Sequence, residues 1–246
     1  MRITILTLFP EMFQGFFDSS IIKKARYKGL VDYQAVDIRS FTLNKHNRVD
    51  DYPFGGGQGM IMFPQPVIDA LNSVRTEKSH VIMMTPAAPT FTQKKARQLA
   101  ADYEDIILIC AHYEGYDERI LDYCDEVLSI GDYILTGGEV ASMVITDALT
   151  RLVPGVITED STLYESFENG LLEHPQYTRP VEYDGKTVPE ILLSGHHENI
   201  RRFNLKASLA KTLKYRPDLL EKRDLSAEEK DLLKEIEEES VTAEQA

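Results

Sequence analysis

Two loops of the chain combine charged, aromatic and glycine residues directly after strand-like segments. The first, residues 111–119, reads Ala-His-Tyr-Glu-Gly-Tyr-Asp-Glu-Arg and follows the apolar run 106–110. The second, residues 130–138, contains three glycines and follows the strand candidate 126–129. Because α/β sheets bind ligands at the carboxyl ends of their parallel strands, both loops are candidate binding sites. The alternative for the first loop is a solvated turn held by an ion pair.

A third candidate is the glycine-rich stretch 55–59, in which only Gln58 interrupts the glycines. Glycine loses more backbone entropy on folding than any other residue, so such a run favours close approach of a ligand over packing in a core. The lysine and hydroxyl residue of a nucleotide P-loop are missing here, which argues against a nucleoside triphosphate. A flexible turn is the alternative.

Charge is distributed unevenly along the chain. The net charge of −13 argues at first against a nucleic-acid partner. However, residues 199–216 hold six basic side chains and no acidic one, whereas residues 217–246 hold eleven acidic and four basic ones. A second basic cluster lies at 23–28. Since salt screens charges beyond about 10 Å, a basic face can still neutralise phosphates locally. A solvated helix face is the alternative.

Strand and helix candidates alternate along the first 150 residues. We predict strands at 3–8, 31–39, 81–84, 106–110 and 126–129, and helices from 11 onward and at 66–76, 90–101 and 138–150. Short apolar runs between helices are typical of buried parallel strands. The order predicts an α/β sheet with helices on both faces.

The second part of the chain has a different composition. Pro154-Gly155 ends the preceding helix, and the polar stretch 158–168 is typical of a linker. A helix is predicted from about residue 196, and its apolar stripe consists of Ile200, Phe203, Ala207, Ala210 and Leu213. A last helix, 226–239, opens with Ser226 and Glu229, which have the spacing of a capping box.

The chain shows no feature of export or membrane insertion. It opens on a strand-like segment, and no run approaches 18 apolar residues. Cys110 and Cys124 lack metal-ligand spacing and are expected to be buried, reduced thiols. We therefore expect a cytoplasmic protein.

Three further stretches complete a set of six: Arg151 with the Pro-Gly turn after it, residues 164–180, and residues 193–202. With these six stretches in order from Met1 to about residue 235, the chain resembles bacterial tRNA (guanine-N1)-methyltransferases of the SPOUT class. A Rossmann-type methyltransferase is disfavoured, since no glycine fingerprint follows the first strand.

The resemblance implies a fold, a domain division and an assembly. The fold would be a SPOUT-type trefoil-knotted parallel sheet with helices on both faces, plus a small C-terminal helical domain. The methyltransferase domain would span 1–157, a flexible linker 158–172 and a tRNA-binding domain 173–246. The family forms homodimers whose active sites lie at the subunit interface.

The resemblance also implies that three loops bind the methyl donor, S-adenosylmethionine. Their residues would be Met84, Thr85, Pro86, Ala111, Tyr113, Glu114, Gly115, Ile130, Gly131, Tyr133, Leu135, Gly137 and Gly138. Contacts to the anticodon stem-loop of tRNA would come from Gly55, Gly56, Gly57, Gly59, Ser194, His196, Arg201 and Arg202. Ala111 stands where the family usually has glycine, and Phe203 where tryptophan is common.

The implied reaction transfers a methyl group to N1 of the guanine immediately 3′ of the anticodon. Arg151 would stabilise charge on guanine O6, and Glu165 would act as the general base. Most members have aspartate at that place, so Glu159 and Asp160 on the same stretch are alternative bases. The resemblance implies Mg²⁺ as well, although no carboxylate cluster identifies its site. A non-catalytic tRNA-binding protein of this fold, or a SPOUT enzyme for another RNA, remains as an alternative.

Overall fold

The computed structural model describes residues 1–158 and 165–244, with backbone alone from 240 onward. The chain divides into two compact units, Met1–Glu159 and Asp160–Ala246. In unit 1 the order is β1 (Arg2–Thr7), α1 (Met12–Phe17), α2 (Ser20–Tyr27), β2 (Asp32–Asp37), β3 (Asp50–Asp51), β4 (Ile61–Met62), α3 (Pro64–Val74), β5 (His80–Met84), α4 (Gln93–Asp102), β6 (Asp105–Cys110), β7 (Glu126–Leu128) and α5 (Glu139–Leu152). Two 3₁₀ helices cover Ile38–Phe41 and Glu118–Tyr123.

The main sheet is parallel and follows the order β2-β1-β6-β5-β7. A two-stranded antiparallel pair, β3 and β4, lies outside it. Because consecutive side chains of a strand point to opposite faces, β6 contributes Ile106 and Leu108 to one apolar cluster and Ile107 and Ile109 to another. Apolar side chains of α1, α2, α4 and α5 pack in the first cluster, and those of α3 pack in the second. The predicted α/β sheet with helices on both faces is confirmed.

Helix α5 packs on the sheet with one largely buried face. Ile145 and Leu149 are fully buried in the first apolar cluster. The hydroxyl of Thr150, also fully buried, lies 2.9 Å from the Tyr33 hydroxyl on β2. The last turn of α5 is thereby fixed to the edge strand of the sheet.

Unit 2 is helical except for a small hairpin. Its elements are β8 (Glu182–Tyr183), β9 (Lys186–Thr187), α6 (Glu190–Leu193), α7 (His197–Tyr215), α8 (Pro217–Glu221) and α9 (Ala227–Glu244). The predicted capping box at the start of α9 is confirmed: the backbone N–H of Glu229 donates to Ser226 Oγ, and the Ser226 N–H donates to Glu229 Oε2 at 2.8 Å.

The buried face of α7 differs from the predicted apolar stripe. Leu213 is 38% exposed, whereas Leu209 and Thr212 are fully buried. Thr212 can replace an apolar residue because its hydroxyl is fully used: it accepts from the Leu172 N–H and donates to the Ser208 carbonyl. The stripe prediction was therefore wrong at Leu213, since a counting of apolar residues alone omits a hydrogen-bonded threonine.

Part of the predicted linker packs on unit 2. Leu171 is 2% exposed and shares an apolar cluster with Leu209 and Leu232. Ser208 Oγ donates to the Leu172 carbonyl, which adds a second bond between this segment and α7. Leu171 and Leu172, at the end of the predicted linker, thus contact helix α7 of the helical unit.

Both cysteines are free thiols, and burial raises the pKa of Cys124 to about 12. Cys110 is fully buried, as predicted, and Cys124 is half-buried. None of the helices in the described ranges is both long enough and apolar enough to cross a membrane.

Candidate functional site

A cavity of about 580 Å³ lies at the carboxyl ends of β5, β6 and β7. These three strands are neighbours in the sheet, so the loops that follow them meet at one edge. The first loop follows β5, the second (residues 111–119) follows β6, and the third (residues 130–138) follows β7. Every residue that the resemblance assigned to the methyl donor lines this cavity, from Met84 at the end of β5 to Gly138 at the end of the third loop. Nine further residues line the cavity without having been assigned to the donor: Ala87, His112, Tyr116, Glu118, Leu128, Ser129, Ile134, Thr136 and Ala141.

The three loops are joined by backbone hydrogen bonds. The Thr85 N–H donates to the Leu128 carbonyl at 3.0 Å, which joins the first loop to β7. The Gly138 N–H donates to the Ala111 carbonyl at 2.8 Å, which joins the third loop to the second. His112 and Gly137 form an isolated antiparallel bridge beside that bond. Carbonyls and N–H groups of all three loops therefore occupy fixed positions around the cavity.

The glycine-rich stretch lies beside the second loop. The Glu114 N–H donates to the Met60 carbonyl, and a Cβ at Gly59 would collide with the Glu114 side chain. Gly55, Gly56, Gly57 and Gly59 all have positive φ, which disfavours other residues at these positions. The stretch is therefore more than a flexible turn, because Gly59 packs closely against the Glu114 side chain.

Both interpretations of the loop 111–119 apply, to different parts of it. Residues 111–116 and Glu118 line the cavity. Arg119 lies outside and forms a two-pronged ion pair with Asp117, at 2.7 and 2.8 Å. The solvated ion pair is therefore the outer end of a loop whose inner end borders the cavity.

Gly138 is required by close packing, since its φ of −78° suits any residue. A Cβ there would lie 2.7 Å from the Cys110 Cα, which is main chain of the buried strand β6. We predict that Gly138→Ala destabilises the protein by about 1–3 kcal/mol, the usual cost of overpacking. Urea denaturation measures this. The control is Gly15→Ala in α1, where a Cβ meets nothing within 4 Å and alanine favours the helix. Equal stability of Gly138→Ala and the unmodified protein would contradict the packing argument.

The two residues with catalytic assignments belong to different units. Arg151 lies half-buried in the last turn of α5, directly after the Thr150 that bonds to Tyr33. Glu165 is half-buried in unit 2. The alternative bases Glu159 and Asp160 lie outside the described residues.

Three basic side chains of α7, those of Arg201, Arg202 and Lys206, form ion pairs within unit 2. Arg201 bonds to Glu198 and, at 2.6 Å, to Glu228 of α9. Arg202 lies 2.5 Å from Glu235, and that same carboxylate is 3.1 Å from the Lys206 ammonium. Hydrogen bonds from Arg202 and Lys206 hold the pKa of Glu235 below its ordinary value. Carboxylates of α9 therefore neutralise part of this basic face, a pairing that charge counts along the sequence did not reveal.

The other residues assigned to tRNA lie at the start of α7. Ser194 and His196 are exposed, and His196 precedes the first residue of the helix. The Ser194 hydroxyl donates to the Ile191 carbonyl and accepts from the His196 N–H.

No group of three or more His, Cys, Asp or Glu side chains in the described parts of the chain is arranged to hold a metal ion. The described donor set thus offers no protein-built site for the Mg²⁺ that the resemblance implies, and no step of the chemistry below is assigned to it.

Comparison with known proteins identifies relatives over almost the whole chain. Residues 1–222 match the family model described as tRNA (Guanine-1)-methyltransferase TrmD. The chain is 54% identical to a tRNA (guanine-N(1)-)-methyltransferase of Halalkalibacterium halodurans over 241 residues, covering 96% of this chain and 98% of the relative. It is 54% identical to a protein of the same name from Bacillus cereus, with the same coverage of each chain.

Proposed function

Because the chain belongs to the TrmD family of tRNA (guanine-1)-methyltransferases, an enzyme family, we propose that it methylates N1 of the guanine immediately 3′ of the anticodon. The methyl donor would be S-adenosylmethionine, bound in the cavity at the ends of β5, β6 and β7. The observation that carries this proposal is the convergence of all the assigned donor residues on that one cavity.

The cavity suits such a donor in size and in chemistry. A volume of about 580 Å³ lies within the range of small-molecule sites. Apolar side chains of Leu128, Ile130 and Leu135 can cover an adenine, and loop backbone can hydrogen-bond its edge. Ala111, where the family usually has glycine, contributes its carbonyl to the Gly138 N–H, so that loop contact is kept.

The proposed chemistry uses one cation and one base. Guanine N1 carries a proton, so its lone pair is poorly available until a base removes that proton. In the proposal the Glu165 carboxylate accepts the proton, and the Arg151 guanidinium donates to O6, where negative charge grows. Bound S-adenosylmethionine supplies the electrophilic methyl group. The target base must leave its stack, which costs least in a single-stranded loop such as the anticodon loop.

We propose a homodimer, and exposed apolar side chains on unit 1 support it. Val140 and Val144 are one turn apart on α5 and 46% and 44% exposed. Met12, at the start of α1, is 44% exposed. Such side chains on a helix that borders the cavity are suited to contact a second copy of the chain. The trefoil knot and a cytoplasmic location are likewise part of the proposal.

The experiment that tests the function identifies the methylated nucleoside. Purified protein is incubated with tritiated S-adenosylmethionine and unmodified tRNA, and the tRNA is then digested. We expect label in 1-methylguanosine at the position 3′ of the anticodon. Label in a ribose-methylated nucleoside would favour a SPOUT enzyme with a different target. Binding of tRNA without any methyl transfer would favour a non-catalytic tRNA-binding protein of this fold.

The α9 carboxylates are expected to compete with tRNA phosphates for the basic face of α7. Glu235→Gln removes the ion-pair partner of Arg202 and one of the two partners of Lys206, which keeps its 2.7 Å contact with Glu239. We predict that the dissociation constant for tRNA falls about two- to fivefold at low salt. Filter binding over a salt series measures it. The control, Glu237→Gln, removes the same charge from an exposed residue of the same helix. An equal gain in both variants would show a general charge effect and contradict local competition.

A further inference from the structure

A buried carboxylate lies directly behind the cavity wall. Glu139, the first residue of α5, is 3% exposed, and the Thr7 hydroxyl donates to its Oε1 at 2.8 Å. Its other oxygen lies 3.7 Å from His112 Nδ1. A Cβ added at Gly137 would collide with both Glu139 Oε2 and His112 Nδ1. The carboxylate therefore lies directly against Gly137, whose backbone is part of the cavity wall.

The surroundings of Glu139 leave its charge only partly balanced. Within the described ranges, His112 is the sole basic side chain within 4.0 Å of this carboxylate. The N-terminus of α5 supplies partial positive charge that favours an anion there. No lysine or arginine of the described residues lines the cavity, whereas Glu114 and Glu118 do. The cavity is thus electrostatically suited to a cation.

We propose that Glu139 is a positioning and selectivity residue, whose carboxylate favours a sulfonium ligand over the neutral thioether that remains after methyl transfer. The inference rests on the proposed function, since it takes the cavity as the donor site. Within about 10 Å and at the dielectric of a protein interior, a buried negative charge stabilises a ligand cation appreciably. A neutral thioether gains no such electrostatic stabilisation, so the carboxylate raises the affinity for the donor relative to the product.

Direct binding measurements separate this role from loop packing. We expect Glu139→Gln, which keeps an acceptor for Thr7, to weaken S-adenosylmethionine binding about tenfold more than S-adenosylhomocysteine binding in calorimetry. Binding of an analogue with a protonated amine in place of the sulfonium should weaken by the same factor as binding of the donor. Glu139→Met, also neutral, gives a second estimate if the glutamine variant is unstable, and Glu139→Asp should restore most of the preference.

Gly138→Ala is the matched control, because it disturbs the same wall without changing charge and should weaken both ligands alike. If Glu139→Gln and Glu139→Met weaken donor and product equally, the carboxylate only packs the loops and the inference is overturned. If the unmodified protein binds neither ligand, the proposed function fails, and the inference fails with it. If the variants bind both ligands with an unchanged ratio of the two dissociation constants, the inference is overturned while the proposed function stands.

Discussion

Replacing Arg151 by alanine should reduce methyl transfer by about 10²–10³-fold, the usual loss when a donor to a developing oxyanion is removed. The physical reason is that guanine O6 gains negative charge as N1 loses its proton, and the planar guanidinium is suited to both O6 and N7. Arg151 is not among the residues lining the donor cavity. The dissociation constant for S-adenosylmethionine should therefore change little. Single-turnover kinetics and calorimetry measure the two effects separately.

Arg151→Lys is the matched variant, since it retains the positive charge and loses the two-pronged donor geometry. We expect it to recover only part of the lost rate. The Tyr33–Thr150 bond should hold the last turn of α5 in place in both variants, and thermal denaturation verifies this. A fall in donor affinity equal to the fall in rate would contradict the assignment of Arg151 to the guanine.

Replacing Glu165 by glutamine should reduce the rate by about 10²–10⁴-fold, the range that positioned acid–base catalysis contributes. Glutamine has nearly the same shape but cannot accept the N1 proton. Binding of tRNA should stay within a few-fold of the unmodified protein, because no phosphate contact is assigned to this residue. Single-turnover transfer at saturating tRNA isolates the chemical step.

Three further variants locate the base. Glu165→Asp keeps a carboxylate and should retain far more activity than the glutamine variant, although one methylene less alters its reach. Glu159→Gln and Asp160→Asn should each leave most activity. Full activity of Glu165→Gln together with loss in Asp160→Asn or Glu159→Gln would move the base to that residue.

Much of unit 1 could be predicted from the sequence because its signals are local. The strand β6 is a continuous apolar run, as expected for a strand covered on both faces, and it extends from Asp105 to Cys110. The predicted helix from residue 11 proved to be two, α1 and α2, separated by Asp18 and Ser19. The short pairs β3–β4 and β8–β9 were not predicted, since two residues per strand carry no recognisable period.

The parts that sequence reasoning missed depend on contacts between distant residues. The Glu139–Thr7 bond joins residues 132 positions apart, and no motif in either segment indicates it. Pairing of Arg202 with Glu235 depends on how α7 and α9 pack. The strand ends indicated two of the loops at the cavity, whereas the assignment of individual residues to the donor followed from the resemblance to a family. Side chains such as Leu128 and Ala141 belong to the cavity because strand β7 ends and helix α5 begins there.

The most direct test of the central claim is a structure of the protein bound to tRNA and S-adenosylhomocysteine. We expect the product in the cavity next to Gly137 and Gly138, with the target guanine unstacked and both the Arg151 guanidinium and the Glu165 carboxylate within hydrogen-bonding distance of it. A guanine that neither side chain reaches in either subunit, or a product bound elsewhere, would contradict the mechanism.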